Sequence, residues 1–468
     1  METPGASDEE FVDAVETKDQ LGFPPLIKRT SSFDSLKEPS SKIDADITPF
    51  YSQTGEKFSE NKPTLNSNSQ YSTDYSSHKE VDQAMLFSWS SKSLIRKNRK
   101  DSYEFGGLEI VQEICINQDS ALRTWVLKFS PDGKYLAVAG DDPLIKLYEV
   151  ACHFSSDSLS LFNDVTYNVL EGHTQPVIDL SWSRSSTFLI SAGADCMVYL
   201  WRIDNKTPAL EFKHPQIVSS VCFHPENANY FLTGCFDRIV RIWNIPNYSV
   251  ECCYQAPDFI TAATFSPQGH FLLLGLSHGQ CMIYETNFQE MKLAFLTQIQ
   301  CKNRKGRKKA GRKITGFDFL DDQQFIVSTN DSRIRLYSLE DFNIKQKYKG
   351  CKNEKFPIKA SFSHNNMHLI SGSENGKVCI WNTFSSWVPC LNPIVGRRKT
   401  VKNSSYEYFK IGDFKNAVHG IFAPEIVVKR AQQLITNIDN DLIIGHIVLV
   451  ANEGKLKVLF NQFRNVKY

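Results

Sequence analysis

The chain lacks any run of 18 or more apolar residues, and its start, Met1-Glu2-Thr3-Pro4, is followed by neither a basic nor an apolar segment. A membrane-spanning helix and a secretory leader are therefore not expected, and the protein is expected to work inside the cell. The 12 cysteines include no CxxC pair, and the adjacent Cys252 and Cys253 would point to opposite faces of a strand. Free thiols in a reducing compartment are the expectation, without a metal site. Charge of one sign is also missing: 53 Lys and Arg stand against 52 Asp and Glu, for a net +1. That balance argues against a nucleic-acid partner held by overall charge. No GxSxG, HExxH or dinucleotide glycine fingerprint occurs. Residues 306–313 imitate a phosphate loop, but Arg312 stands where lysine is needed and Lys313 where a magnesium-binding hydroxyl is needed. Neither an enzyme, a cofactor nor a small-molecule substrate is expected.

What is present is apolar and aromatic content, 41% and 12% of 468 residues, enough to build a large core. It is unevenly spread. Residues 1–107 hold 18 Ser, no Cys and one Trp, with 13 basic against 18 acidic residues, so this stretch carries −5 and the remainder +6. Without sustained alternation or helical periodicity it reads as a disordered tail. From Leu108 onward, short runs rich in Val, Ile, Phe and Tyr recur between Gly, Asp, Asn, Ser and Pro, which predicts an all-β chain with no long amphipathic helix.

The runs repeat. An apolar residue followed by an aromatic closes each unit: Leu147-Tyr148, Leu200-Trp201, Ile242-Trp243, Ile283-Tyr284, Leu336-Tyr337 and Ile380-Trp381. Six residues before each aromatic stands a polar turn former: Asp142, Asp195, Asp237, His278, Asp331 and Asn375. A period near 40 residues marks a radial array of sheets. A weaker seventh unit runs through residues 417–424, 446–450 and 455–460.

The second unit is the fullest, with Gly172-His173, Ser191, Asp195 and Trp201. It resembles the WD repeat, in which these side chains hydrogen-bond across one blade; His173, Ser191, Asp195, Trp201, Asp237, Trp243, Asp331 and Trp381 are accordingly expected to be structural, as is His214. The resemblance implies a seven-bladed WD-repeat β-propeller preceded by the disordered tail. The last unit is one strand short, and Leu108 to Ile114, LEIVQEI, is expected to supply that strand and close the ring.

Within the WD repeats, residues 125–141, WVLKFSPDGKYLAVAGD, residues 311–337, including RKITGFDF and NDSRIRLY, and residues 347–381, including IKASFSH, resemble the rabphilin-type WD-repeat Rab-binding family, as do YEYF at 406–409 and Phe422-Ala423-Pro424. The resemblance spans roughly residues 105–468. It implies an adaptor in vesicle or endosomal traffic, with a Rab GTPase as a candidate partner, although the tail is short and has no PxxP cluster. Residues 7–16, SDEEFVDAVE, resemble the FFAT motif that docks on VAP receptors of the endoplasmic reticulum. Glu10, Phe11, Val12, Asp13, Ala14 and Glu16 are the candidate contacts, with Val12 in place of the motif's second Phe. Phe11 and Ala14 would fill apolar pockets, while Asp13 and Glu16 accept charge-assisted hydrogen bonds.

Residues 302–313, KNRKGRKKAGRK, carry eight cations and no acid: Lys302, Arg304, Lys305, Arg307, Lys308, Lys309, Arg312 and Lys313. By repeat position they join the fourth and fifth blades. Peripheral contact with an anionic membrane, a solvated loop and a nuclear-import or RNA-binding run all fit this composition. Arg29 stands three residues before Ser32, a spacing that basic-directed kinases prefer. The expected protein is thus a non-enzymatic cytoplasmic adaptor, peripheral to endosomes and endoplasmic reticulum; a nuclear or ribonucleoprotein scaffold and a ubiquitin-ligase substrate receptor are the alternatives.

Overall fold

The computed structural model describes residues 95–97, 104–119, 122–155, 158–163, 165–287, 292–301, 312–383, 401–403, 406–410, 417–436 and 441–464. They form seven antiparallel sheets arranged as the blades of a propeller. In blades 2, 3 and 4 the chain lays down four strands from the axis outward: 177–182, 188–193, 197–202 and 210–213; then 218–223, 230–235, 239–244 and 249–255; then 260–265, 271–276, 280–287 and 292–300. The first strand of each blade packs against the first strand of the next, and that of blade 7, His419–Phe422, against that of blade 1, Thr124–Phe129. A blade is apolar on both faces, as in Phe188–Gly193 with five consecutive buried residues, so only a neighbour on each side hides it.

Blade 7 combines a strand from near the start of the described residues with three from their end. Its strands His419–Phe422, Leu442–Asn452 and Lys455–Arg464 come from the C-terminal part, and Leu108–Cys115 is its outermost member, paired antiparallel with Lys455–Arg464. The buried Gln112 binds a different blade. Its Nε2 donates to Phe162 O at 2.8 Å and its Oε1 accepts from Leu161 N and Phe162 N, so one amide acts as a further strand position for blade 1.

Two findings depart from the sequence expectations. Ordered structure starts before Leu108. Arg96–Lys97 pairs with Tyr408 and Glu407 as a fifth strand of blade 6, and Ile95 and Phe105 are buried. The Glu407 carboxylate accepts the N–H groups of Glu104 and Phe105, while the Glu104 carboxylate meets His368 Nε2 at 2.5 Å. Phe105 lies against the rings of His368, Phe422 and His446. This strap spans the seam of blades 6 and 7.

The second departure is a helix, Glu425–Thr436, inserted between the first two strands of blade 7. It buries Val427, Val428, Ala431 and Ile435 against Leu442 and Ile444 of blade 7 and Cys152, Leu161 and Phe162 of blade 1. Each buried Val or Ile side chain stabilises the contact by about 1.5–3 kcal/mol. Arg430 adds hydrogen bonds to the carbonyls of Gly133 and Asp132. No helix among the described residues is long and apolar enough to cross a membrane.

Candidate functional site

The six polar turn formers found in the sequence sit between the second and third strands of their blades. Asp142, Asp195, Asp237 and Asn375 each accept, through the side-chain oxygen, the N–H two residues on. The following residue has positive φ at Cys196, Arg238, Gly279, Ser332 and Gly376. The side chain thereby fixes a tight turn whose next residue is left-handed, which explains the constant offset to the aromatic.

In blade 2 the turn is extended into a chain of hydrogen bonds. Asp195 Oδ2 lies 2.9 Å from His173 Nδ1, His173 Nε2 lies 2.7 Å from Ser191 Oγ, and Trp201 Nε1 donates to the same Oγ at 2.8 Å. A Cβ at Gly193 would meet both the Asp195 carboxylate and the His173 ring, so the glycine makes room for the pair. Burial pushes the Asp195 carboxyl up, but its bond to His173 and the amide donors of Thr174 and Met197 outweigh this and hold it below its ordinary value.

These are the residue types and the order of a Ser-His-Asp catalytic relay. The surroundings remove the chemistry: Ser191 is fully buried, His173 and Asp195 have almost no exposed side-chain surface, and the hydroxyl already accepts the indole N–H. A nucleophile without access to solvent cannot meet a substrate, and the set fastens one blade together.

Other blades keep parts of the set. In blade 3, Thr233 Oγ1 stands between His214 Nε2 at 3.0 Å and Trp243 Nε1 at 3.2 Å. Asp237 does not reach His214 there; it pairs with Arg241 at 2.6 Å. Burial, helped by the Arg241 charge, lowers the His214 pKa to about 4. In blade 5, Asp331 pairs with the buried Arg335 and accepts from Thr329, and in blade 6 Trp381 Nε1 donates to Lys349 O at 3.0 Å. Blade 4 places Ser277 Oγ, His278 Nδ1 and Asp258 together, but hydroxyl and carboxylate share one ring nitrogen, so no proton relay runs through the imidazole.

Accessible chemistry lies elsewhere, on the end of the ring formed by the loops that precede each first strand and those that join second to third strands. The Arg123 guanidinium sits over the rings of Trp125 and Phe356, 4.7 and 5.1 Å from their centroids, and bonds Asp141 at 2.8 Å. Trp125 Nε1 donates to the other oxygen of Asp141 at 2.7 Å. The Glu374 carboxylate gathers the N–H groups of Glu354, Lys355 and Phe356 and so shapes the loop that presents Phe356. Phe236 and Phe259, both partly exposed, meet edge to face on blades 3 and 4. Across the axis, Lys359 Nζ reaches Asp179 at 2.6 Å, and Asp179 also accepts from Ser220 Oγ and Val221 N. Partly exposed rings such as Phe356, Phe236 and Phe259, with an arginine and carboxylates on the same end of the ring, suit a protein partner better than a small molecule.

The cavity between blades 5 and 6, lined in part by Ser328, Asn353, Cys351 and Trp381, has a volume of about 10 Å³, the room of one water. Among the described residues no group of three or more His, Cys, Asp or Glu side chains could hold a metal ion. Of the basic run, Lys302 to Lys309 lie outside the described residues; Arg312 is exposed, and burial lowers the Lys313 amine to about 8. Residues 7–16 and Ser32 also lie outside them. Sequence reasoning did not find Arg123, Phe356, Asp179 or Lys359, because nothing local marks them: Asp179 and Lys359 are 180 positions apart.

Comparison with known proteins agrees with the repeat reading. Residues 118–149, 165–202, 206–244 and 346–382 match the model of the WD domain, G-beta repeat. WD repeat-containing protein 44 of Xenopus laevis is 32% identical over 351 residues, 65% of this chain and 38% of that protein. An uncharacterised WD repeat-containing protein of Schizosaccharomyces pombe is 28% identical over 283 residues, 55% of this chain and 47% of that one. The 2-deoxy-glucose resistant protein 2 of Saccharomyces cerevisiae is 28% identical over 276 residues, 53% and 32% of the two chains. This chain thus spans between about a third and a half of the length of these relatives. The architecture is characteristic of non-catalytic scaffolds and adaptors, and with seven blades, repeat matches and a buried His-Ser-Asp-Trp set the chain belongs to the WD-repeat β-propeller proteins.

Proposed function

We propose that this protein is a trafficking adaptor, in which the propeller is a rigid platform for protein partners and the N-terminal region tethers it to VAP receptors of the endoplasmic reticulum. The observation that carries the reading is SDEEFVDAVE at residues 7–16, which matches six of the seven FFAT core positions, counting the free one. Asp8, Glu9 and Glu10 would steer the segment toward a basic face before Phe11 and Ala14 dock. The Rab-binding resemblance of residues 311–337 and 347–381 supports a Rab GTPase as a further partner. The eight cations of residues 302–313 support peripheral contact with anionic membrane, at roughly 1 kcal/mol per basic residue near the surface. The working place is then cytoplasmic, beside endosomes and endoplasmic reticulum.

Affinity capture from cells tests it, comparing wild type with a Phe11→Ala, Asp13→Ala double variant. Loss of VAP receptors from the double variant alone is the expected result. Equal capture, or none from either protein, removes the tether. The same basic run favours a second reading, a nuclear or ribonucleoprotein scaffold, which nuclear accumulation of the wild-type protein in live cells would support.

A further inference from the structure

The outer edges of the seven blades differ. Blades 5 and 6 each carry a fifth strand from a distant part of the chain: Val401–Asn403 runs parallel to Ile344–Tyr348, and Arg96–Lys97 antiparallel to Glu407–Lys410. The outer strands of blades 2, 3 and 7 hold charges: Glu211 and Lys213 in Leu210–Lys213, Glu251 in Ser249–Gln255, and Glu109 and Glu113 in Leu108–Cys115. Charge on an edge strand discourages a further strand from pairing with it.

Blade 4 has no such guard. Its outermost strand, Lys292–Gln300, is nine residues long, reads KLAFLTQIQ, and carries its single charge at the first position. Among the described residues no strand pairs with its outer edge. Phe295 and Leu296 are 51% and 43% exposed. A register shift between Ile283 and Tyr284 leaves Leu296 without an opposite residue on the neighbouring strand.

We propose that this edge is a self-association site, at which a second copy of the chain adds its own Lys292–Gln300 antiparallel about a two-fold axis. Open main-chain N–H and C=O groups are satisfied by any added strand, and here the side chains are complementary to themselves. With the axis at Leu296, Leu293 faces the partner's Ile299 and Phe295 faces the partner's Thr297, an aromatic and β-branched pair that favours antiparallel sheet. Lys292 faces the partner's Gln300, which keeps the two ammonium groups roughly 27 Å apart along the strand. A highly charged peptide would find no counter-charge between Leu293 and Gln300, so a neutral strand is the better occupant. Among the described residues each copy offers one uncharged outer edge of this length, those of blade 1, Ser158–Phe162 and Asn168–Leu170, being five and three residues long, and pairing therefore stops at two. Nine residues a side fall below the roughly 20–30 of a standard interface, so the pairing is of the weak, transient kind, to be sought between roughly 1 µM and 1 mM.

Sedimentation equilibrium of the full chain across that concentration range, with hydrogen exchange on the same samples, tests the site. The mass should rise from one chain to two, with amide protection rising alongside it over residues 293–300. Leu296→Lys sets two ammonium groups against each other at the axis and should weaken association at least about tenfold at an unchanged melting temperature; Phe295→Lys takes its place if the first variant melts lower. A single-chain mass throughout, masses beyond two chains, or a dimer that survives both substitutions would overturn the proposal. So would protection, independent of concentration, of those amides of residues 293–300 that point away from Gln280–Asn287, since another segment of the same chain would then cover the edge.

Discussion

Several side chains that resemble catalytic groups are held in a form that serves the fold. Burial, with the nearby Lys359 charge, lowers the His419 pKa to about 4, and burial, with His368 and His364 alongside, lowers that of His446 to about 3; His214 falls to about 4. In the unfolded chain each imidazole protonates near 6.5. Between that value and its folded pKa the unfolded chain holds the extra proton, so stability falls as pH drops from about 6.5 toward 4. The loss approaches about 1.4 kcal/mol per pH unit for each such histidine. Asp195 and Asp258, whose carboxyls are held below their ordinary value, lose their contribution only at lower pH, as pH falls through the carboxylate range. Denaturant midpoints should therefore fall steeply between pH 6.5 and 4.5, and His419→Asn should flatten that slope while lowering the midpoint at pH 7. Parallel slopes for the two proteins would show that His419 is not held neutral. The His173 set was legible because two of its members, Asp195 and Trp201, belong to the turn former and aromatic that recur six residues apart. Asp179 and Lys359 were not, since an ion pair across the axis leaves no local trace.

Among the elements, the repeated strands could be read from alternating apolar runs bounded by turn formers, and the Asp or Asn turn fixed their register. The helix at Glu425–Thr436 escaped because Ile426-Val427-Val428 reads as strand, although Val427, Val428, Ala431 and Ile435 lie on one helical face. Packing against two blades overrides the β preference of the branched residues. Arg96–Lys97 and Val401–Asn403 are too short to declare themselves; their pairing is decided by the open edges they meet. The Gln112 amide is the element-scale contact that ties the outermost strand of blade 7 to blade 1. Gln112→Ala should leave Leu161 and Phe162 backbone groups without partners and destabilise the propeller by about 1–3 kcal/mol in denaturant unfolding. A loss below about 0.5 kcal/mol would mean that water replaces the amide and the contact does not hold the seam.

The whole molecule is a ring whose seam is fastened several times over: by Leu108–Cys115 on Lys455–Arg464, by the Gln112 amide, by the helix wedged over blades 7 and 1, and by the Glu104-Phe105 strap beside it. Closing the ring removes the exposed edge of an incomplete blade and brings residues far apart in sequence under one cooperative transition. Thermal unfolding of two truncated chains tests this most directly. A chain that begins at Ser91 retains the strap and the closing strand, and should melt in one cooperative transition at the temperature of the full chain. A chain that begins at Asn117 lacks both and should be insoluble or melt broadly and at least 10 °C lower, on the order of a few kcal/mol of lost stability. Equal melting of the two would contradict closure of the propeller by its N-terminal strand.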